Sequence, residues 1–210
     1  KLLKILGIIA LVIIGLYLAS IPYLRSKNVV KESMFFTPTK YDTSKIFNQL
    51  DSKYLTFITK DDIQKTANKF ISQQGIDSVK LNNTTIIRGY KEFIPSSNSE
   101  FYTIKPQVEK KTGIFMLGNQ SNVFNMLDDL TELSKRDSTQ IFVLIYNGNG
   151  FSTGKSDFAN QFKVNQSFYE FVNQQNAVNF IAGHSLGTVF ATKLAVDNKI
   201  PTLALLAPAS

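Results

Sequence analysis

The sequence predicts an α/β fold, a doubly wound and mostly parallel sheet with helices on both faces. From Thr112 onward, short apolar segments alternate with longer amphipathic ones. This alternation is typical of parallel sheets that are covered by helices on both sides. The predicted strands are 113–117, 140–146, 177–182 and 202–207, and the predicted helices are 123–136, 157–175 and 186–198.

The loops that follow the parallel strands are expected to carry the function. Right-handed crossovers place the carboxyl ends of these strands at one edge of the sheet, where ligands of open α/β sheets bind. Three loops are predicted to meet there, at 117–122, 146–156 and 183–187. Before them, β-rich segments at 77–104 are interrupted by a predicted loop at 95–99.

The N-terminal segment is predicted to be a membrane anchor. Residues 5–24 form a run of 20 residues without a charge, the length that a helix needs to cross the hydrocarbon layer. A cleavable signal peptide has a shorter apolar stretch, and a buried core helix has one polar face. We therefore expect a single-pass anchor or signal-anchor at 1–24, a linker and helical extension at 25–76, and the α/β domain at 77–210.

The composition excludes several kinds of function. The chain has 210 residues and no cysteine, which rules out disulfides, thiolate metal sites and cysteine nucleophiles. The formal net charge is +7, but most of the excess flanks the apolar N-terminal segment and forms no stripe on the predicted domain. No nucleic-acid partner is therefore expected.

The pentapeptide at 183–187, Gly-His-Ser-Leu-Gly, carries the functional prediction. It lies between a buried-strand pattern and an apolar helix start, which is typical of a nucleophile elbow with an exposed serine hydroxyl. Gly183 and Gly187 would leave room where helix and strand come closest. An ordinary turn with a capping serine is the alternative. We predict that Ser185 is a nucleophile.

Together with two other loops, this pentapeptide resembles the alpha/beta-hydrolase superfamily over about residues 77–210. Residues 146–154, Tyr-Asn-Gly-Asn-Gly-Phe-Ser-Thr-Gly, are similar to the Tyr-Arg-Gly-x-Gly-x-Ser-x-Gly loop of lipase-like, thioesterase-like and serine-aminopeptidase-like members, with Asn147 in place of Arg. Residues 117–122, Leu-Gly-Asn-Gln-Ser-Asn, are similar to the His-Gly-Asn-Ala-Gly-Asn oxyanion loop of membrane-anchored relatives, with Leu117 in place of His.

The resemblance implies that the backbone N–H groups of Asn119 and Leu186 form an oxyanion hole, two fixed donors aimed where negative charge develops. An ordinary turn at 118–119 is the alternative. The His that Leu117 replaces is expected to brace this loop, so the replacement bears on its rigidity. The resemblance implies no metal and no cofactor.

The partners of the predicted nucleophile are missing from the sequence. His184, the only histidine, precedes Ser185 on a tight elbow and is expected to point away from its hydroxyl and to act in packing. Asp197 lies toward the far end of the next helix. In the superfamily the acid and the His follow the nucleophile on later loops. We therefore expect that the C-terminal part of the fold lies beyond Ser210.

The leading prediction is a membrane-anchored serine hydrolase that cleaves an ester, thioester or amide of a small-molecule or lipid acyl substrate. Its acyl-enzyme would form on Ser185 and would require an acid and a His that this chain lacks. The first alternative is an inactive remnant or a non-catalytic binding module. The second is nucleotide binding at 149–156, which is one residue short of the Gly-x-x-x-x-Gly-Lys-Ser/Thr signature because Asn149 takes the first glycine position.

Overall fold

The computed structural model describes residues 36–48, 50–72 and 78–207. The predicted anchor at 5–24 lies outside these residues. Among the helices that are described, none combines the length and the apolar character of a membrane span. Residues 36–72 pack into the same compact unit as the sheet.

One mixed sheet contains the seven strands found in the described residues. In chain order they are β1 (Ser78–Leu81), β2 (Thr84–Ile94), β3 (Ser97–Pro106), β4 (Lys111–Met116), β5 (Thr139–Leu144), β6 (Phe180–His184) and β7 (Thr202–Leu206). Across the sheet their order is β1-β2-β3-β5-β4-β6-β7. β1, β2, β3 and β5 pair antiparallel, whereas β5, β4, β6 and β7 pair in parallel.

Five α-helices accompany these strands within the described residues. They are α1 (Thr43–Asn48), α2 (Lys60–Ser72), α3 (Leu127–Asp137), α4 (Phe158–Gln175) and α5 (Gly187–Asp197), and a 3₁₀ turn at Val123–Met126 precedes α3. The strand–helix alternation predicted from Thr112 onward is therefore present, with most element ends displaced by a few residues.

Two neighbouring aromatic residues of β3 show that helices cover both faces of the sheet. Successive strand residues point to opposite faces. Phe101 packs on Phe168 of α4, with ring centroids 5.8 Å apart. Tyr102 packs on Phe70 of α2 at 5.5 Å and on Phe124 of the 3₁₀ turn at 5.7 Å. The double covering that the sequence predicts is thus present.

The prediction of a loop at 95–99 is wrong. β2 and β3 form a long hairpin, and only residues 95 and 96 lie between the two strands. Ser96 has a φ of 64° and its N–H donates to the side chain of Glu92 at 2.8 Å. The polar residues 97–99 are typical of a loop, because turns favour serine and asparagine. In the structure they pair with β2.

The carboxylate of Asp128 connects residues 56–58 to α3 by hydrogen bonds. It accepts hydrogen bonds from the backbone N–H groups of Thr56 at 2.9 Å, Phe57 at 3.0 Å and Ile58 at 2.6 Å. Asp128 is buried. Because three donors surround one buried charge, this contact holds residues 56–58 in a defined place against the domain.

Candidate active site

The turn between β6 and α5 holds Ser185 in a left-handed backbone conformation, with a φ of 50°. This conformation is costly for a residue with a side chain, roughly 1–3 kcal/mol, so the surroundings must fix it. The N–H of Ser185 donates to the carbonyl oxygen of Leu206 on β7 at 3.0 Å. Its own carbonyl accepts from the N–H of Thr188 at 2.9 Å and from the Thr188 hydroxyl at 2.7 Å.

The two glycines of the elbow (residues 183–187) lie where the backbone is most crowded. A Cβ on Gly187 would stand 2.1 Å from the carbonyl oxygen of Met116 and 2.5 Å from that of Leu117. A Cβ on Gly183 would stand 2.5 Å from the carbonyl oxygen of Gly187. Because the obstructing atoms are backbone, they have little freedom to move. The glycine spacing therefore allows the close approach of helix and strand that the elbow requires.

The loop at 117–122 adjoins the elbow at the carboxyl edge of the sheet. Leu117 is buried, and its carbonyl accepts a hydrogen bond from the Tyr146 hydroxyl at 2.6 Å. Gly118 lies beside His184, since a Cβ on this glycine would stand 2.9 Å from the imidazole Nδ1. The three loops therefore adjoin one another at this edge, as the alternating pattern predicts. Tyr146 supplies a brace for the loop that carries Leu117.

Several polar groups near this edge have no hydrogen-bond partner in the described part of the chain. They include the N–H groups of Asn119 and Leu186 and the hydroxyl of Ser185. Ser185 is half-buried, so its side chain reaches solvent. An amide N–H that is already paired inside the protein cannot bind a ligand. Unpaired amides at an accessible loop are available to one.

No hydrogen bond among the described residues joins His184 to Ser185. His184 is half-buried, and its Nδ1 is buried without a partner in the described structure. Asp197 ion-pairs with Lys193 at 2.7 Å near the end of α5. Neither side chain is paired with the hydroxyl that a base would have to deprotonate.

No protein-family model and no curated protein matches the sequence. Solved structures do match. An acetyl xylan esterase from Thermoanaerobacterium sp. JW/SL YS485 superposes with a TM-score of 0.53 and 14% identity, over 81% of this chain and 64% of that one. An alpha/beta hydrolase, GrgF, from Penicillium sp. sh18 superposes with a TM-score of 0.51 and 13% identity, over 59% of this chain and 46% of that one.

The chain has the alpha/beta-hydrolase fold. At this level of identity the likeness is one of fold. The chain spans less than two thirds of the length of each of these two hydrolases.

Within this alpha/beta-hydrolase fold, the loop at 146–156 is held by its own buried polar groups. Ser152 is fully buried, donates to the carbonyl of Ile145 at 2.9 Å and accepts from the N–H of Glu100 at 2.9 Å. Asn147, which stands where similar loops have Arg, accepts from the hydroxyl of Ser97 at 2.8 Å through its side chain. Ser152 therefore fixes the loop and is not exposed to a substrate.

Several amides of the same loop are already paired inside the protein and are not available to a phosphate cradle. The N–H of Gly150 is used by Thr39, that of Phe151 by Glu100 and that of Thr153 by Asn98. The next helix begins with the carboxylate of Asp157 as its N-cap, where an anion would be repelled. This geometry argues against nucleotide binding at 149–156.

A buried acid, which the sequence motifs do not predict, lies below this loop. Glu100 has no exposed surface, and its carboxylate accepts from the hydroxyls of Tyr41 at 2.8 Å and Tyr102 at 2.6 Å and from the N–H of Phe151 at 3.0 Å. Burial raises the pKa of Glu100, although these hydrogen bonds oppose the shift. The available signal was a single acid in the middle of a strand rich in aromatic residues.

A strap (residues 36–42), which no sequence pattern predicts, crosses the carboxyl edge of the sheet. Phe36 packs on Phe158, with ring centroids 4.8 Å apart. The N–H of Thr39 donates to the side chain of Asn149 at 2.7 Å, and its carbonyl accepts from the N–H of Gly150 at 2.9 Å. A third hydrogen bond joins the ammonium of Lys40 to the carbonyl of Ser152 at 3.2 Å, so three hydrogen bonds attach the strap to the loop at 146–156.

An edge cavity of about 240 Å³ lies between the strap, residues 120–122 and residues 149–150. Ser121 in its wall lies close to the elbow, because the hydroxyl of Ser121 and Nδ1 of His184 both stand within 3.0 Å of a Cβ placed on Gly118. A groove of about 550 Å³ between α4 and α5 extends toward the far end of α5. Through Ser121, the edge cavity lies beside His184 of the elbow.

Proposed function

We propose that the chain carries the nucleophile and the oxyanion donors of a serine hydrolase. The observation that carries the proposal is the strained, half-buried Ser185 between β6 and α5, whose hydroxyl has no described partner. Glycines at 183 and 187 permit the turn, and the unpaired amides of Asn119 and Leu186 are available for an oxyanion.

In the proposed reaction the Ser185 oxygen attacks the carbonyl carbon of an ester, thioester or amide while its proton passes to a base. The carbonyl oxygen becomes an oxyanion that accepts hydrogen bonds from the N–H groups of Asn119 and Leu186. The bond to the leaving group breaks, and the leaving group takes up a proton. Water then attacks the acyl-enzyme, and the Ser185 oxygen recovers its proton as the acid is released.

The base and the acid that orients it are proposed to come from outside these 210 residues. His184 makes no hydrogen bond to Ser185 within the described structure, and the sequence has no other histidine. Three leucines of the edge strand β7 are exposed, at positions 203, 205 and 206. Exposed apolar edge strands are normally covered, which supports further protein packing against this edge.

We also propose that residues 1–24 attach the protein to a membrane, on the uncharged length of residues 5–24. Extraction of membranes with alkaline carbonate tests this directly. The full chain should stay in the membrane pellet, whereas a chain that starts at Phe36 should not. Release of the full chain by carbonate would contradict the proposed anchor.

The unpaired Ser185 hydroxyl also favours a second candidate, an inactive remnant or non-catalytic binding module. Incubation with p-nitrophenyl acetate, followed by peptide mass spectrometry, separates the two. If the chain carries the nucleophile of a hydrolase, Ser185 should be acetylated. Ser185→Ala should abolish this adduct, whereas Ser167→Ala on α4 should leave it intact. Acetylation spread evenly over the serines would favour the binding module.

A further inference from the structure

The edge cavity is lined mainly by neutral groups that form hydrogen bonds. Seven of its lining residues carry a hydroxyl or a carboxamide: Thr37, Thr39, Tyr41, Gln120, Ser121, Asn122 and Asn149. No hydrogen bond among the described residues uses the side chain of Gln120 or that of Ser121. These two groups are therefore available to a ligand, on the same loop as Asn119.

The charged groups of the cavity wall are one cation and one anion, and both are engaged. The ammonium of Lys40 donates to the carbonyl of Ser152 at 3.2 Å. The carboxylate of Asp42 accepts from the N–H of Ser44 at 3.1 Å and from its hydroxyl at 2.6 Å. Because the wall contains one charge of each sign, it carries no net charge and favours a ligand of neither sign.

The size and polarity of the cavity also disfavour a long acyl chain. A volume of about 240 Å³ corresponds to roughly eight water molecules at ~30 Å³ each. An alkyl chain in this space would remove water from the amide of Gln120 and the hydroxyl of Ser121 without replacing their hydrogen bonds, which is unfavourable. A compact group with several hydroxyls replaces them.

We propose that the edge cavity binds a neutral, polyhydroxylated part of the substrate, about the size of one sugar ring. This inference deepens the proposed function, because Ser121 of the cavity wall lies beside His184 and thus beside the elbow. The polar part of the substrate would be held next to the bond that Ser185 cleaves. Binding itself does not need turnover.

The test is a binding series with probes of one ring size, measured by saturation-transfer NMR on the full chain in a detergent without a sugar headgroup. Methyl glucoside should bind more tightly than cyclohexanol, which has a similar ring and one hydroxyl. It should also bind more tightly than glucuronate and glucosamine, which add a charge of either sign. Stronger binding of cyclohexanol or of either charged sugar would overturn the proposal.

Two variants locate the site. Gln120→Asn shortens a free amide and keeps a residue that tolerates the φ of 59° at this position. Ser121→Val removes a free hydroxyl. Each should weaken methyl glucoside binding by about three- to tenfold, the effect of one lost hydrogen bond, without lowering the thermal unfolding midpoint. Ser167→Val in the groove between α4 and α5 is the matched control, and equal losses in all three variants would contradict the assignment.

The outcomes separate this inference from the proposed function. Ser185→Ala should bind methyl glucoside as the unchanged chain does, because the cavity wall is intact. Acetylation of Ser185 without methyl glucoside binding would refute the cavity assignment alone. Methyl glucoside binding without acetylation would refute the hydrolase and leave the cavity assignment standing.

Discussion

The hydroxyl of Tyr146 donates a hydrogen bond of 2.6 Å to the carbonyl oxygen of Leu117, and both residues are buried. Tyr146 follows β5 and Leu117 follows β4, so the bond links two neighbouring loops at the carboxyl edge. It orients the peptide that leads into Gly118 and Asn119. The loop that carries Leu117 is therefore braced by a tyrosine of the neighbouring loop.

Replacing Tyr146 by Phe should destabilise the fold by about 1–2 kcal/mol, because the buried Leu117 carbonyl loses this donor. Urea unfolding measures the change. The exposed Tyr54 provides the control, and Tyr54→Phe should have no measurable effect. Burial raises the pKa of Tyr146, so the hydroxyl remains a donor in mildly alkaline solution and the difference should persist there.

Gly187→Ala tests the close approach at the elbow. The new methyl group would meet two backbone carbonyl oxygens of β4 and its following loop at 2.1 and 2.5 Å. Such overpacking costs about 1–3 kcal/mol, and it should also displace the turn that carries Ser185. Thr192→Ala on the exposed side of the same helix should lower the free energy of unfolding by less than about 0.5 kcal/mol. Equal stability of the two variants would show that helix and strand are farther apart.

Asp128→Asn should destabilise the protein by about 1.5–3 kcal/mol, since three backbone donors lose a charged acceptor. Asp129, its exposed neighbour on α3, is the matched control. Burial and the nearby carboxylates of Asp128 and Glu132 raise the pKa of Asp129, so Asp129→Asn should be neutral or slightly stabilising. Urea unfolding at neutral pH compares the two variants. A larger loss of unfolding free energy in Asp129→Asn would contradict a stabilising role for the hydrogen bonds between Asp128 and residues 56–58.

The buried Glu100 should make stability depend on pH. Its pKa is raised above the ordinary value of 4.5 by burial, so the folded protein holds this proton more tightly than the unfolded chain. The stability linked to the proton is complete below about pH 4.5 and is lost as the pH rises through the folded-state pKa. Relative to Glu100→Gln, the unchanged chain should therefore become less stable as the pH rises above about 4.5.

Urea unfolding at several pH values measures this difference. The exposed Glu170→Gln variant is the control and should follow the unchanged chain throughout the range. A difference between the unchanged chain and Glu100→Gln that stays constant or grows with pH would show that the carboxyl is ionised and well paired.

The elbow was predictable because its information is local. Gly183 and Gly187 flank Ser185, and their spacing indicates that one helix and one strand approach each other closely. The apolar segments on both sides of the pentapeptide predict that strand and that helix. The parallel strands were predictable for the same reason, since each has its own apolar pattern.

The contacts around the elbow were not predictable, because they join residues that are distant in sequence. The bond between Tyr146 and Leu117 depends on the order of β4 and β5 in the sheet. The carboxylate of Glu100 receives the Tyr41 hydroxyl only because the strap crosses the sheet edge. The strap itself has no strand or helix pattern by which to recognise it.

The most direct test of the account is the site and rate of reaction with a fluorophosphonate, followed by peptide mass spectrometry. A formed oxyanion hole stabilises the negative charge that develops during attack, so it favours reaction at the serine beside it even where the base is lacking. The adduct should therefore form on Ser185 much faster than on Ser167 or any other serine, and Ser185→Ala should abolish this fast reaction. Modification of Ser185 no faster than of Ser167 would contradict its role as the nucleophile.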